Sequence, residues 1–165
     1  MAGVEYCLLM HDFAFSIQSE VNTTKEILWQ HITQMKNVNA ELMPYAKMTY
    51  PHDKNEIGNR EVPVNQVLFK SVILLLGFIP IDVHYLRLDK LVFGEAFYEN
   101  SYSLQHHYWK HTRTIIEKSG KVALRDDLQF LPRITFCGYI LLPIYKLIFY
   151  NRHQKLTKHF RLSTA

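Results

Sequence analysis

Little in this 165-residue chain would staple it, anchor it or mark it for a familiar reaction. Only two cysteines occur, Cys7 and Cys137, far apart and in no CxxC spacing, and nothing beside them fits a metal site. A chain of this size buries about two-thirds of its unfolded surface and needs no such support. There is no P-loop, no GxGxxG after a strand, no GxSxG elbow and no HExxH. Long apolar runs are missing too. Residues 67–81 contain Lys70, Gly77 and Pro80, and residues 134–150 contain Pro143 and Lys146. Neither reaches the roughly 20 uncharged residues of a membrane span, so both read as core segments. Residues 1–10 carry Glu5 and no basic residue, so no secretory signal is expected, and reduced thiols in a cytoplasm are the simplest assumption.

Charge of one sign is scarce as well. The 19 basic and 15 acidic residues leave +4, and Arg152, Lys155, Lys158 and Arg161 in the acid-free stretch 151–165 account for all of it. That tail reads as a solvated helix end complementing the helix dipole, or as a contact for an anionic surface such as a membrane. With no nucleic-acid motif and so mild a charge, no nucleic-acid partner is expected. Repeats, low-complexity tracts and linkers are absent, so residues 1–165 are expected to form one domain.

What is present is a globular composition, 48% apolar and 21% charged. Residues 13–21 alternate, with Phe13, Phe15, Ile17, Ser19 and Val21 on one side, and predict a half-buried strand. Thr23 and Glu26 have capping-box spacing, and Leu28, Ile32 and Met35 then give one helical face. Residues 37–39 end that helix, and 40–43 add a short turn. Residues 45–50 predict a strand and 52–60 a loop. Residues 65–76, apolar nearly all round, predict a buried helix, with a buried strand as the alternative.

Strands follow over 82–91, 95–104, 106–118 and 122–131, the last two joined by a Ser119–Gly120 turn. Short connections make neighbours antiparallel. The chain ends in a helix whose stripe is Leu141, Tyr145, Ile148, Phe149, Leu156 and Phe160, with Pro143 in its first turn or kinking it. Such a sheet presents a concave face, and the final helix is the one long element left to cover it. The space between them holds either packed side chains or a ligand.

Further residues carry a family resemblance. They are Leu-Leu-Gly-Phe-Ile-Pro-Ile-Asp at 75–82, then Phe97, Glu99 and Ser101, then Trp109, His111 and Arg113, then Asp126, Pro132 and Arg133, and last Phe149 with Arg152 and His153. With the order of elements over 13–160, this set resembles a bacterial subgroup of the START-like (SRPBCC) superfamily. Thr112 departs from that subgroup, which tends to an acid at this place. The resemblance implies an α+β helix-grip fold, a curved antiparallel sheet wrapped around a long C-terminal helix, with the extra helix near 65–76. It also implies apolar ligand binding as the common theme, without fixing a reaction.

The resemblance and the spacing together give the candidate site. Trp109, His111 and Arg113 share one strand face, as do Phe97, Glu99 and Ser101 on the preceding strand, and Asp126 reaches the same region from the next. Facing inward, these groups would pair with one another, hold a polar ligand head or do acid–base work. Facing outward, they would be an ordinary surface ion-pair network. The candidate ligand-binding residues are Phe97, Glu99, Ser101, Trp109, His111, Arg113, Asp126, Tyr145 and Phe149, and the candidate catalytic ones are Glu99, His111 and Arg113. His106, His107 and His111 invite a metal, but strand alternation puts His107 with His111 and His106 opposite, so no metal or other cofactor is expected.

The leading expectation is a carrier or sensor for a hydrophobic or amphipathic small molecule such as a lipid or polyketide-like compound, in a monomer or weak homodimer. The alternatives are a cyclase- or dehydratase-type enzyme, and a peripheral membrane or protein-interaction role through the basic C-terminal helix.

Overall fold

The computed structural model describes residues 11–162. Expectations resting on residues 1–10, including Cys7 and the lack of a leader, and on 163–165 fall outside the described residues. Strand β1 (Phe13–Val21) keeps the alternation read from the sequence, with odd-numbered residues turned inward. Helices α1 (Lys25–Ile32) and α2 (Met35–Leu42) follow. Thr24, not Thr23, caps α1, accepting from the Ile27 amide. The expected single helix breaks at Thr33, whose hydroxyl donates to the Trp29 carbonyl (2.8 Å). Residues 40–42, expected as a turn, belong to α2. Leu28, Ile32 and Met35 are nevertheless all fully buried.

The remaining strands are β2 (Ala46–Met48), β3 (Val67–Leu75), β4 (Ile79–Val92), β5 (Ala96–Ser103), β6 (His106–Lys118) and β7 (Lys121–Pro132). All pairs are antiparallel in one curved seven-stranded sheet of order β1-β7-β6-β5-β4-β3-β2. The Ser119–Gly120 turn has positive φ at both residues, as a two-residue hairpin of the right twist requires.

The buried helix expected over 65–76 is a correction: the segment is strand β3. Phe69 and Ser71 point into the core and Lys70 points out. The all-round apolar pattern arises because Val72 and Leu74, on the face that Lys70 shares, are apolar where a solvated strand ordinarily has polar residues, while Ile73 and Leu75 line the concave side. β-Branched Val67, Val72 and Ile73 favour extended backbone, and the turn at Leu76 and Gly77, both with positive φ, returns the chain onto β4.

Helix α3 (Thr135–Leu162) runs over the concave face for 28 residues. Pro143 lies inside it, past the first turn, so residue 143 gives no amide to the carbonyl of exposed Tyr139. Gly138 permits close approach to β1, since a Cβ there would lie 2.0 Å from the Phe13 ring. The far half of α3 closes a packed core, where Leu156 and Phe160 meet Val21, Leu28, Trp29, Ile32 and Leu124. No helix among the described residues is long and apolar enough to cross a membrane.

Candidate functional site

The antiparallel register decides which side chains meet. It sets Phe97 opposite Arg113, Glu99 opposite His111 and Ser101 opposite Trp109, and on the other side Arg113 opposite Asp126. All these pairs lie on the concave side, and Glu99, Ser101, His111, Arg113 and Asp126 are each at most 9% exposed. The inward arrangement is the one adopted.

The charged groups satisfy one another. Arg113 donates from Nε to Asp126 Oδ1 (2.8 Å), from Nη2 to Oδ2 (3.0 Å) and from Nη1 to Glu41 Oε2 (3.2 Å). Arg152 donates to the same Glu41 oxygen from Nε (3.2 Å) and Nη2 (3.0 Å). His153 Nε2 lies 2.9 Å from Asp126 Oδ2, and its Nδ1 2.9 Å from Ser19 Oγ. His111 sits between two acids, with Nε2 2.8 Å from Asp126 and Nδ1 3.4 Å from Glu99. Glu99 also faces His84 Nε2 (2.7 Å) and accepts from the Ser101 hydroxyl (2.6 Å).

Each ionisation follows from a contest between burial and neighbours. Burial raises the Glu41 pKa, but Arg113, Arg152 and His31 outweigh it and bring it to about 2. Burial likewise opposes ionisation of Glu99 and Asp126. His111 and His84 hold Glu99 far below the carboxylate range, and Arg113 and His111 do so for Asp126. Burial lowers His111, but Asp126 and Glu99 raise it above 6.5. Each of the three buried carboxylates thus faces a guanidinium or an imidazole, the pairing under which burying so many charges is tolerable.

Next to this network, sheet, α2 and α3 enclose a cavity of about 330 Å³. Its walls are chiefly apolar, including Met35, Val38, Leu42, Leu86, Leu88 and Ile148. Of the residues expected to line it, Phe97, Glu99, Trp109, His111, Tyr145 and Phe149 do. Ser101, Arg113 and Asp126 do not: behind this wall Ser101 partners Glu99, Asp126 partners His111, and Arg113 partners Asp126. A second polar group on the wall joins Tyr145, whose hydroxyl is 3.1 Å from His106 Nε2, to Ser103 and Asp82 at the other side of that ring.

Two readings of the sequence are corrected here. His106 points inward and His107 outward, the reverse of simple alternation, because a bulge between His106 and Tyr108 shifts the parity of β6. Arg152 and His153, read as charges of a solvated helix end, are 5% and 2% exposed and paired with Glu41 and Asp126. The sequence reading also missed Glu41, His84, Asp82 and His106 as parts of the site. A signal existed for two members: Glu41 sits three residues after Val38 and Arg152 three after Phe149, charges on apolar helix faces.

With this geometry in place, likeness to other proteins gains meaning. No curated protein matches the chain. Its fold is similar to that of protein CV1439 from Chromobacterium violaceum, with a TM-score of 0.66 at 13% identity over 89% of this chain and 96% of that one. It is similar to a START superfamily protein from Mycobacterium smegmatis (TM-score 0.61, 8% identity, 90% and 97%). A major latex-like protein from Panax ginseng also matches (TM-score 0.56, 4% identity, 90% and 97%). At these identities the likeness speaks for the fold. A family model described as "Domain of unknown function (DUF8410)" matches residues 19–160, so the chain belongs to that family, and its fold is START-like.

Proposed function

We propose that the chain is a binding module, a carrier or sensor in the cytoplasm, for a hydrophobic or amphipathic small molecule held between the sheet and α3. The observation that carries this reading is the cavity of about 330 Å³, apolar over most of its wall, beside charged groups that already pair with one another. Ligand sites typically span roughly 300–1,000 Å³ with few polar groups on an apolar lining. Phe97, Trp109, Ile148 and Phe149 would hold the apolar body. The Tyr145–His106 pair would meet a hydroxyl or carbonyl of the guest. Ser101, Arg113 and Asp126 would serve by keeping Glu99 and His111 in place.

The arrangement favours holding over turnover. Acid–base chemistry needs a group free to exchange a proton with the guest. His111 faces a carboxylate at each ring nitrogen, and Arg113 stands behind the wall. Native mass spectrometry of protein purified from its own host is expected to show a co-purified apolar molecule. Protein that carries none, and that also fails to bind a fluorescent apolar probe, would defeat the reading.

A further inference from the structure

The apolar surface of this protein does not stop at the cavity. Leu75, Ile81 and Ile144 belong to the cavity wall and are also 39%, 44% and 44% exposed, so inner and outer apolar surfaces are continuous at the mouth. Around that mouth stand large apolar side chains with no cover among the described residues: Phe78 (69% exposed), Leu104 (62%), Ile134 (65%) and Phe136 (71%).

They come from three separate parts of the chain: the β3–β4 turn, the β5–β6 turn and the start of α3. Hydrogen bonds tie these parts into one rim. The Gln105 side-chain amide donates to the Ile81 carbonyl (2.7 Å), and the Arg133 amide donates to the Gln105 carbonyl (2.8 Å). Monomeric proteins rarely leave such a contiguous patch exposed without a use for it.

The exposed charges of the rim segments have one sign, since Asp82, which accepts from the Gln105 amide, is buried. Residues 74–81, 103–107 and 133–147 contain Arg133 and Lys146 and no acid. Lys47, opposite Leu74 in the sheet, adds a third exposed cation. Apolar side chains ringed by cations suit the boundary between headgroups and acyl chains of an anionic membrane. A protein partner seated on the same rim would seal the cavity.

We propose that this rim docks on an anionic lipid bilayer, so that an apolar guest passes between acyl chains and cavity without crossing water. The proposal rests on the binding-module reading and adds where the guest comes from. Phe78 and Phe136 insert into the acyl boundary, while Lys47, Arg133 and Lys146 meet the headgroups.

The test is co-sedimentation of the full chain with phosphatidylcholine vesicles, with and without phosphatidylglycerol, beside binding of a fluorescent apolar probe in vesicle-free solution. The chain is expected to bind the phosphatidylglycerol vesicles at low salt and to weaken as salt rises. A Phe78→Ser, Phe136→Ser double variant is expected to lose at least about tenfold in vesicle partition, given the apolar area removed, while keeping probe binding. Lys47→Glu with Lys146→Glu is expected to abolish the preference for phosphatidylglycerol. If the wild-type chain takes the probe but ignores anionic vesicles at low salt, the docking proposal is overturned and the binding reading stands. A chain that takes no probe sinks the reading beneath both. Sedimentation showing a dimer that the double variant dissociates would assign the rim to a second copy and also overturn the proposal.

Discussion

Arg113 on β6 lies directly opposite Asp126 on β7 and grips both of its carboxylate oxygens, at 2.8 and 3.0 Å. The pair is at most 1% exposed, and His111 and His153 share the same carboxylate. Asp126→Asn keeps the shape and removes the charge on which three cationic or donor groups converge. Stripping one partner from a buried ion pair costs about 3–5 kcal/mol. The midpoint of urea denaturation should fall accordingly with an unchanged slope. A loss below about 1 kcal/mol would mean that the network does not hold the sheet.

Stability should depend on pH on both sides of a maximum. Glu41, brought from 4.5 to about 2 by Arg113 and Arg152 against the opposing effect of burial, contributes fully above pH 4.5 and loses its contribution as pH falls towards 2. Glu99 and Asp126, also lowered, act with the same sign. His111 is raised above 6.5, so its contribution is complete below that value and is lost as pH rises through the folded-state pKa. Denaturation midpoints across the pH range should peak between about 4.5 and 6.5. His111→Gln should lower the whole curve and flatten its alkaline side.

Much of this site was legible beforehand because strand spacing is unforgiving. Residues two apart share a face, so Glu99 with Ser101, and His111 with Arg113, were bound to travel together. Which face turned inward was decided by pairing, which spacing alone does not contain. His106 escaped because one bulge reverses parity without leaving a distinctive residue. Strand β3 escaped because Val72 and Leu74 put apolar residues on the face that Lys70 shares, which erased the alternation. Glu41 stood out locally as a charge on an apolar helix face, but its partners Arg113 and Arg152, 72 and 111 residues away, lie beyond any local pattern.

Filling the cavity should separate binding from folding. Ile148 is a partly buried wall residue on α3. Ile148→Trp should cut probe affinity at least about tenfold for no more than the roughly 1–3 kcal/mol that overpacking costs. Unchanged affinity in a folded variant would place the guest elsewhere.

Gly138 tests how α3 is seated. The added methyl group of Gly138→Ala would meet the Phe13 ring at 2.0 Å and push helix and β1 apart. Thermal unfolding should report a loss of about 1–3 kcal/mol, and intensity from the Phe13–Phe130 stack, 5.5 Å apart, should change in aromatic NMR contacts. A variant as stable as its parent would show that this contact gives way easily.

The long helix is fastened unevenly along its length. Over residues 151–155 it is bolted down by Asn151 to the Glu41 and Met43 carbonyls, Arg152 to Glu41, His153 to Asp126 and Lys155 to Met43. Above the cavity, Leu141, Ile144 and Ile148 rest on it by dispersion, with the Tyr145–His106 bond as the polar tie. Prising up the bolted end would strand charges in a dry interior, whereas lifting the other exposes apolar side chains and breaks the Tyr145–His106 hydrogen bond. On the proposed binding-module reading, the ion pairs would be the fulcrum of the helix, and a guest would enter beneath the arm that overhangs the mouth.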